Sequence, residues 1–340
     1  MYANLYIVYI IYRSCQMYKY GYEFIYRDAF VDVENVLPVM HNWNLLGKRS
    51  VLVTLVDTDG SSPRQVGAQM LVREDGEYFG HIADGCLRSE IIRNSLEAIA
   101  TGQNSLVRYG KDSRYMDITL PCGSGVDLFF DQAFNPELAK QAALYKKSRQ
   151  IFSLETNIES GVSVLSEGCS AHYGDMVFDG SIFKKQYIPS VKLVILGTDQ
   201  AALLLAQHGV IGGMDVEIHT PDELLIKAAQ EQGIVARQII NPKSHIVESI
   251  DPQTAIVFLF HDLDYEVLLL KSLLKKKLLY LGCLGSHRTH DKRCNALLAQ
   301  SVDKASLQQI QAPLGLIKHT KSPLDLAISI VADIVRVRGN

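Results

Sequence analysis

VKLVILGTDQAALLLAQHG, Val191 to Gly209, is the stretch on which the fold turns. It opens with an unbroken apolar run, Val191–Leu196, passes through a turn at Gly197 and continues as a helical pattern. A continuous apolar run suits a strand covered on both faces of a parallel sheet. Two further runs have the same form, TAIVFLF (Thr254–Phe260) and LLYL (Leu278–Leu281), each followed by a polar loop and a helical stretch. Repeated βα units of this kind predict a doubly wound, Rossmann-like α/β domain. The chain closes on a well-marked helix. Ser322 can cap it, Pro323 takes the first helical position, and Leu324, Ala327, Ile328, Val331, Ile334 and Val335 are predicted to line its buried face.

Working back toward the N-terminus, the pattern changes from continuous to alternating. SVLVTLV (Ser50–Val56) reads as a half-buried strand ending in a turn over Asp57–Pro63. AQMLVR (Ala68–Arg73) and EYFGHI (Glu77–Ile82) flank Glu74-Asp75-Gly76, so a hairpin is expected with glycine supplying a positive φ. DGCLRSEIIRNSLEAIATG (Asp84–Gly102) reads as a helix capped by Asp84, with Leu87, Ile91, Ile92, Leu96 and Ile99 on its apolar face and Gly102 as its stop. MDITL (Met116–Leu120) and VDLFF (Val126–Phe130) bracket the loop Pro121–Gly125. The expected organisation is an extension over 1–32, an α+β domain over 33–180 and the Rossmann-like domain over 190–340.

With 340 residues, 47% hydrophobic and 21% charged, the chain can bury a substantial core in two domains. Its formal net charge of −3 provides no basic field for nucleic acid or an anionic membrane, so any anionic ligand must be bound locally. The six cysteines, Cys15, Cys86, Cys122, Cys169, Cys283 and Cys294, show no CxxC pairing, which argues against a zinc knuckle or a disulfide framework and for free thiols in a reducing cytoplasm. Eight of the 16 tyrosines fall within the first 26 residues, around an apolar run, Leu5–Tyr12, too short to span a bilayer. This extension is expected to be disordered or to precede the native start, with Met17 and Met40 as internal start candidates.

Ligands of open α/β sheets bind beyond the carboxyl ends of the strands, which singles out the loops Gly197–Ala201, His261–Asp264 and Gly282–Arg288. In the last of these, Gly282, Gly285, Ser286 and Arg288 can bring backbone amides, a hydroxyl and a guanidinium to an anion, although a plain strand-to-helix turn explains them equally well. His261 and Asp262 can hydrogen-bond a ligand or serve as an acid/base pair. Asp199 stands where a dinucleotide fold needs its second glycine, and Thr220 where the ribose-binding acid belongs, so NAD binding is not expected. In the first half, Cys86 falls in the first turn of its helix, where the dipole favours anions. Cys122 beside Gly123 lies in a glycine-rich loop where a sulfur can act as a soft donor to metal. The turn Gly60, Ser61, Ser62, Arg64 offers hydroxyls and a guanidinium. For either cysteine the plainer alternative is a small buried hydrophobe.

GSSPRQVGAQMLV, DGCL, LPCGSG, the pair His261-Asp262, YLGCLGSHR, and APLGL followed by SPLDLAISIVADI together resemble, in order, the successive motifs of the XdhC/CoxI family. The resemblance covers about Val33 to Arg338. It implies an accessory factor that binds molybdenum cofactor, protects it while its terminal sulfur is installed, and delivers it to an apo-hydroxylase of the xanthine dehydrogenase type. Implied partners are that molybdenum hydroxylase and a cysteine desulfurase or molybdopterin nucleotidyltransferase; a homodimer is compatible with it. Carried over position by position, the resemblance implies Cys86 and Cys122 as metal or sulfur ligands. The turn Gly60–Arg64, Gly123, His261, Asp262, Gly282, Gly285, Ser286 and Arg288 would complete the cofactor site.

The departures concentrate in loops. The family's GGC-L-E reads Asp84-Gly85-Cys86-Leu87-Arg88 here, its glycine turn reads Gly197-Thr198-Asp199-Gln200, its D-P-R reads Thr220-Pro221-Asp222, and Lys318 and His319 replace small residues. They leave open a second reading, a diverged relative that works as an interaction or regulatory partner without binding cofactor.

Overall fold

The computed structural model describes residues 35–62, 64–113, 123–168, 176–317 and 320–339. The expected extension over 1–32, the strand Met116–Leu120, Cys15, Cys122, Cys169, Lys318 and His319 lie outside the described residues. The chain divides into two compact units at Pro189–Ser190.

The first unit holds a helix α1 (Leu37–Leu45), strands β1 (Ser50–Asp59), β2 (Gln69–Arg73) and β3 (Tyr78–Gly80), and helix α2 (Gly85–Thr101). Strands β4 (Ser105–Gly110) and β5 (Gly125–Asp131), helix α3 (Pro136–Lys147), and strands β6 (Phe152–Asn157), β7 (Ser163–Glu167), β8 (Met176–Phe178) and β9 (Ile182–Tyr187) follow. Two antiparallel sheets result, in the orders β3-β2-β1-β5-β4 and β7-β6-β9-β8. On β1, Val51, Val53 and Leu55 pack against Leu87, Ile91 and Ala98 of α2. Leu52, on the opposite face, joins Leu71 and Phe79 in a core with α1, α3 and Phe152, Leu154 and Tyr187 of the second sheet. Ser50–Val56 is therefore buried on both faces, not half-buried as its alternation suggested. The reason is that Ser50 and Thr54, polar and alternating, face protein rather than water. Gly76 turns the β2–β3 hairpin at φ +86°, and Gly102 ends α2 in the left-handed region, as expected.

The second unit begins with β10 (Lys192–Gly197), α4 (Gln200–Ile211), β11 (Asp215–Thr220), α5 (Glu223–Glu231) and β12 (Val235–Gln238). It continues with β13 (Thr254–Leu259), α6 (Leu263–Leu273), β14 (Tyr280–Cys283), α7 (His287–Ala299), α8 (Lys304–Leu307), β15 (Ile310–Gln311) and α9 (Pro323–Arg338). All six strands run parallel in the order β12-β11-β10-β13-β14-β15. Leu193, Ile195, Val257 and Leu259 point to one face, under α4, α5 and α9. Val194, Leu196, Ile256 and Phe258 point to the other, under α6 and α7. This is the doubly wound arrangement the apolar runs predicted.

Helix α9 starts as expected, with the Ser322 hydroxyl accepting from Leu324 N at 3.2 Å, but its buried stripe differs. Ala327, Ile330 and Ile334 are buried together with Ser329 and Asp333, whereas Leu324, Ile328 and Val335 are exposed. The two polar residues can go inside because each is bonded: Tyr280 OH donates to Asp333 at 2.9 Å, and Ile317 N donates to the Ser329 hydroxyl at 2.7 Å. Among the described residues no helix is long and apolar enough to cross a membrane.

Candidate functional site

In the first unit three glycine-bearing turns meet at one end of the larger sheet. Strand β1 runs on past β2 and stays paired to β5 through Asp59 opposite Gly125. The turn that leaves β1 at Gly60 is thereby set against Ser124: Gly60 has φ +94°, and a Cβ there would lie 3.3 Å from Ser124 Cβ. Gly123, also left-handed at φ +65°, is the described part of the loop that contains Cys122. Ser61 is exposed, and the Ser62 hydroxyl oxygen is buried without a hydrogen-bond partner among the described residues.

The start of α2 reaches the same end, because Met70 near the head of β2 pairs with Gly80 at the tail of β3. Gly80 is required there, since a Cβ would sit 2.5 Å from the Gln69 carbonyl oxygen. Asp84 occupies the N-cap position of α2 but accepts no hydrogen bond from the helix, contrary to the capping expectation. Its carboxylate pairs instead with Arg88 and, at 3.2 Å, with His81 Nε2. The Arg88 guanidinium, with the His81 ring nitrogen beside it, outcompetes the neutral amides of the first turn. Arg88 is also fixed by its Nη1–H donated to Tyr78 OH at 3.0 Å, with the guanidinium 5.6 Å above the Tyr78 ring. Burial lowers the pKa of His81, and the charges of Arg64 and Arg88 lower it further. Cys86 is an exposed free thiol beside it. The arrangement therefore unites Gly60, Ser61, Ser62, Arg64, Cys86 and Gly123 at one sheet end. It adds His81, which was not picked out from sequence because a lone histidine after a strand carries no signal.

In the second unit the three predicted loops follow adjacent parallel strands and lie along one sheet edge. Most of their polar side chains are committed to capping helices. Asp199 Oδ1 accepts from Ala201 N at 3.0 Å, and Asp199 Oδ2 is 3.4 Å from His261 Nε2. Asp262 accepts from Asp264 N and Tyr265 N at 3.0 and 3.2 Å, so His261 is paired with Asp199 across the edge and not with its neighbour. Ser286 accepts from Thr289 N at 3.3 Å. Gly285 has φ +127°, and a Cβ there would press on Thr289. Gly282 lies inside β14, where a side chain would collide with Leu314 and Tyr280, so close packing explains this glycine. Arg288 is exposed on the first turn of α7.

Sequence reasoning missed what stands beneath this edge. Glu266 of α6 and Arg293 of α7 form a fully buried ion pair, and Arg293 Nη2 donates to the Leu284 carbonyl at 2.6 Å within the Gly282–Arg288 loop. On the same sheet face, His219 Nδ1 and His245 Nε2 are 2.7 Å apart. A charged residue in a helix reads as solvent-facing until its partner is known. Among the described residues no group of three or more His, Cys, Asp or Glu side chains is arranged to hold a metal ion.

The XdhC and CoxI family model matches residues 43–110, which include the Gly60–Arg64 turn and Cys86, and the XdhC Rossmann domain model matches residues 193–334. The molybdenum cofactor insertion chaperone PaoD of Escherichia coli K12 is 31% identical over 294 residues, spanning 86% of this chain and 84% of PaoD. The chain belongs to the XdhC/CoxI family. A second relative, a probable xanthine dehydrogenase subunit of Bacillus subtilis 168, is 21% identical over 322 residues, 86% of this chain and 94% of the relative. A crystal structure described as a xanthine dehydrogenase from Bacillus halodurans superposes with a TM-score of 0.69 at 19% identity, covering 88% of this chain and 95% of that one. At that identity the superposition speaks for the fold alone.

Proposed function

We propose that this chain binds molybdenum cofactor in the cytoplasm, holds it while its terminal sulfur is installed, and hands it to an apo-hydroxylase of the xanthine dehydrogenase type. The observation that carries the reading is the 31% identity to a molybdenum cofactor insertion chaperone over 86% of the chain. The first unit's site is chemically suited to such cargo. Cys86 presents an exposed thiol, a soft donor for molybdenum or for transferred sulfur. Arg64 and Arg88 supply the positive character that the pterin phosphate requires. Gly60, packed on Ser124, lets two backbone segments approach a ligand closely.

In this reading Cys86 and Cys122 hold the metal centre, and the Gly60–Arg64 turn and Gly123 line its site. Within the second unit, taken by itself, the sheet edge that bears His261, Gly285, Ser286 and Arg288 is a candidate site for an anionic group. A cysteine desulfurase or molybdopterin nucleotidyltransferase supplies sulfur or cofactor. The same edge disfavours NAD, since Asp199 already caps the helix whose N-terminus a pyrophosphate would need.

The test is to co-express the full chain with cofactor biosynthesis and assay the fluorescent pterin oxidation product in the purified protein. Pterin well above background supports the proposal, and C86S and C122S should each reduce it; no pterin would sink it. The Asp84–Arg88 pair, which neutralises the cation beside Cys86, favours a second reading as a cofactor-free interaction partner. That reading predicts no bound pterin but a stable complex with a sulfurase, a nucleotidyltransferase or a molybdenum hydroxylase subunit.

A further inference from the structure

The two departures that sequence reading placed side by side, Asp84 and Arg88, are partners of each other in the folded chain. They differ in how firmly they are held. Arg88 is fixed without help from Asp84, by Tyr78 OH at 3.0 Å, by the Ala83 carbonyl at 3.4 Å and by the Tyr78 ring beneath the guanidinium. Asp84 has no comparable anchor: its side chain is 71% exposed, bonds nothing in its own helix apart from Arg88, and among the described residues pairs only with Arg88 and His81.

We propose that Arg88 is a preorganised anion-recognition residue beside Cys86 and that Asp84 is its displaceable internal counter-ion, so that a phosphate monoester enters by exchanging with the Asp84 carboxylate. Exposed ion pairs contribute little net stability, so the exchange faces a low barrier in free energy. A phosphate group makes better use of the site than the carboxylate does. It can take Arg88 Nη2, which Asp84 now holds, together with first-turn amides of α2 that have no side-chain cap. The Ser62 hydroxyl, in the turn that leaves β1 at this sheet end, is buried and unpartnered among the described residues, an independent sign of a polar ligand there. Asp84 then sets a threshold: neutral or weakly anionic molecules do not displace it.

The inference rests on the cofactor reading only for the identity of the phosphate-bearing molecule, so two measurements separate them. Inorganic phosphate is titrated calorimetrically into the full chain and its D84N, R88Q and D84N/R88Q variants at fixed ionic strength, with circular dichroism to confirm folding. Removing the competing carboxylate in D84N is expected to tighten phosphate binding by about three- to tenfold, and R88Q to weaken it by at least as much. The double variant should bind no better than R88Q, because Asp84 acts only through Arg88. Unchanged or weaker binding by D84N, undiminished binding by R88Q, or no phosphate binding by any folded variant overturns the inference. Pterin content after co-expression is the second measurement. Pterin retained equally by wild type, D84N and R88Q overturns the inference while leaving the cofactor reading intact. Pterin absent throughout, with the phosphate pattern as expected, removes the cofactor reading and supports the inference.

Discussion

Arg293 and Glu266 are an ion pair from which water is excluded, and the same guanidinium holds the carbonyl of Leu284. Burial pushes the Glu266 carboxyl up, and Arg293 opposes that by hydrogen bond and charge. One guanidinium nitrogen, Nη1, is buried with no partner among the described residues. Breaking a buried pair from one side strands a charge, so R293M is expected to cost about 3–5 kcal/mol in urea unfolding. The double variant R293M/E266L should recover most of that loss, since apolar replacement removes both charges and the orphaned donor together. An R293M variant within experimental error of wild type would show that the pair is not holding the Gly282–Arg288 loop.

The His219–His245 contact is the second buried polar junction. Glu217 is held down to about 2, first by the hydrogen bond from His219 and then by Lys192 and Arg237. With His219 Nε2–H donating to Glu217 at 3.3 Å, a neutral His219 must accept at Nδ1, so His245 Nε2–H is the donor. Burial, His219 and Arg237 all lower the His245 pKa. Glu248, whose carbonyl accepts from Lys192 Nζ at 3.0 Å and whose carboxylate is 3.9 Å from Arg237, completes the charges around it. A depressed histidine pKa means that the unfolded chain takes up the proton first as pH falls, so stability is present above the ordinary histidine range and declines below it. Relative to H245Q, which shares every other titrating group, wild type is expected to lose the equivalent of about 1 kcal/mol in unfolding midpoint between pH 7.5 and 5.5. Identical slopes for H245Q and wild type would remove the assignment.

How far the sequence carries the reader is shown by where these residues sit. Strands β10 and β13 are legible because, covered on both faces, they must be continuously apolar, and nothing else produces VKLVIL or TAIVFLF between turns. Strands β12 and β15 leave no such trace: VARQ is largely exposed and IQ is two residues long. The α9 stripe was misplaced because Ser329 and Asp333, polar in sequence, are buried by bonds to Ile317 and Tyr280. Asp84 had the right residue type and position for a cap, yet Arg88 and His81 took its carboxylate. In the candidate site the glycines, Cys86 and the basic residues were legible as types, whereas their meeting at one sheet end depends on the β1–β5 and β2–β3 pairings.

Asp131, at the end of β5, should respond to pH in the opposite sense to His245. It is 2% exposed, lines a small cavity between the two sheets of the first unit, and has one carboxylate oxygen without a partner among the described residues. Burial pushes its carboxyl up to about 6, against the hydrogen bonds from Asn104 and Ala133 N. A raised carboxyl pKa favours folding below the unfolded value near 4, and that contribution is lost as pH rises through about 6. D131N keeps an oxygen for Asn104 and Ala133 N but removes the buried charge. It is expected to stabilise the protein by about 1–3 kcal/mol at pH 8 and by almost nothing at pH 4.5, read from urea midpoints at the two pH values. Destabilisation at pH 8 would mean that the second carboxylate oxygen has a partner in solution.

Gly315 joins the APLGL motif to α9, and its requirement is geometric. It has φ +87°, a region that costs a side chain strain, and a Cβ there would lie 2.6 Å from the Ser329 hydroxyl oxygen. That hydroxyl cannot withdraw cheaply, because it accepts from Ile317 N at 2.7 Å inside the helix–loop contact, and Leu316 N donates to the Ser329 carbonyl at 3.1 Å. G315A therefore meets two independent penalties, backbone strain and a displaced hydrogen bond, and should cost about 2–4 kcal/mol in thermal or urea unfolding. The double variant G315A/S329A removes the collision but keeps the strain and leaves Ile317 N unsatisfied, so it should recover only part of the loss. Full recovery would show that the clash alone explains the glycine, and wild-type stability for G315A would show that neither penalty operates.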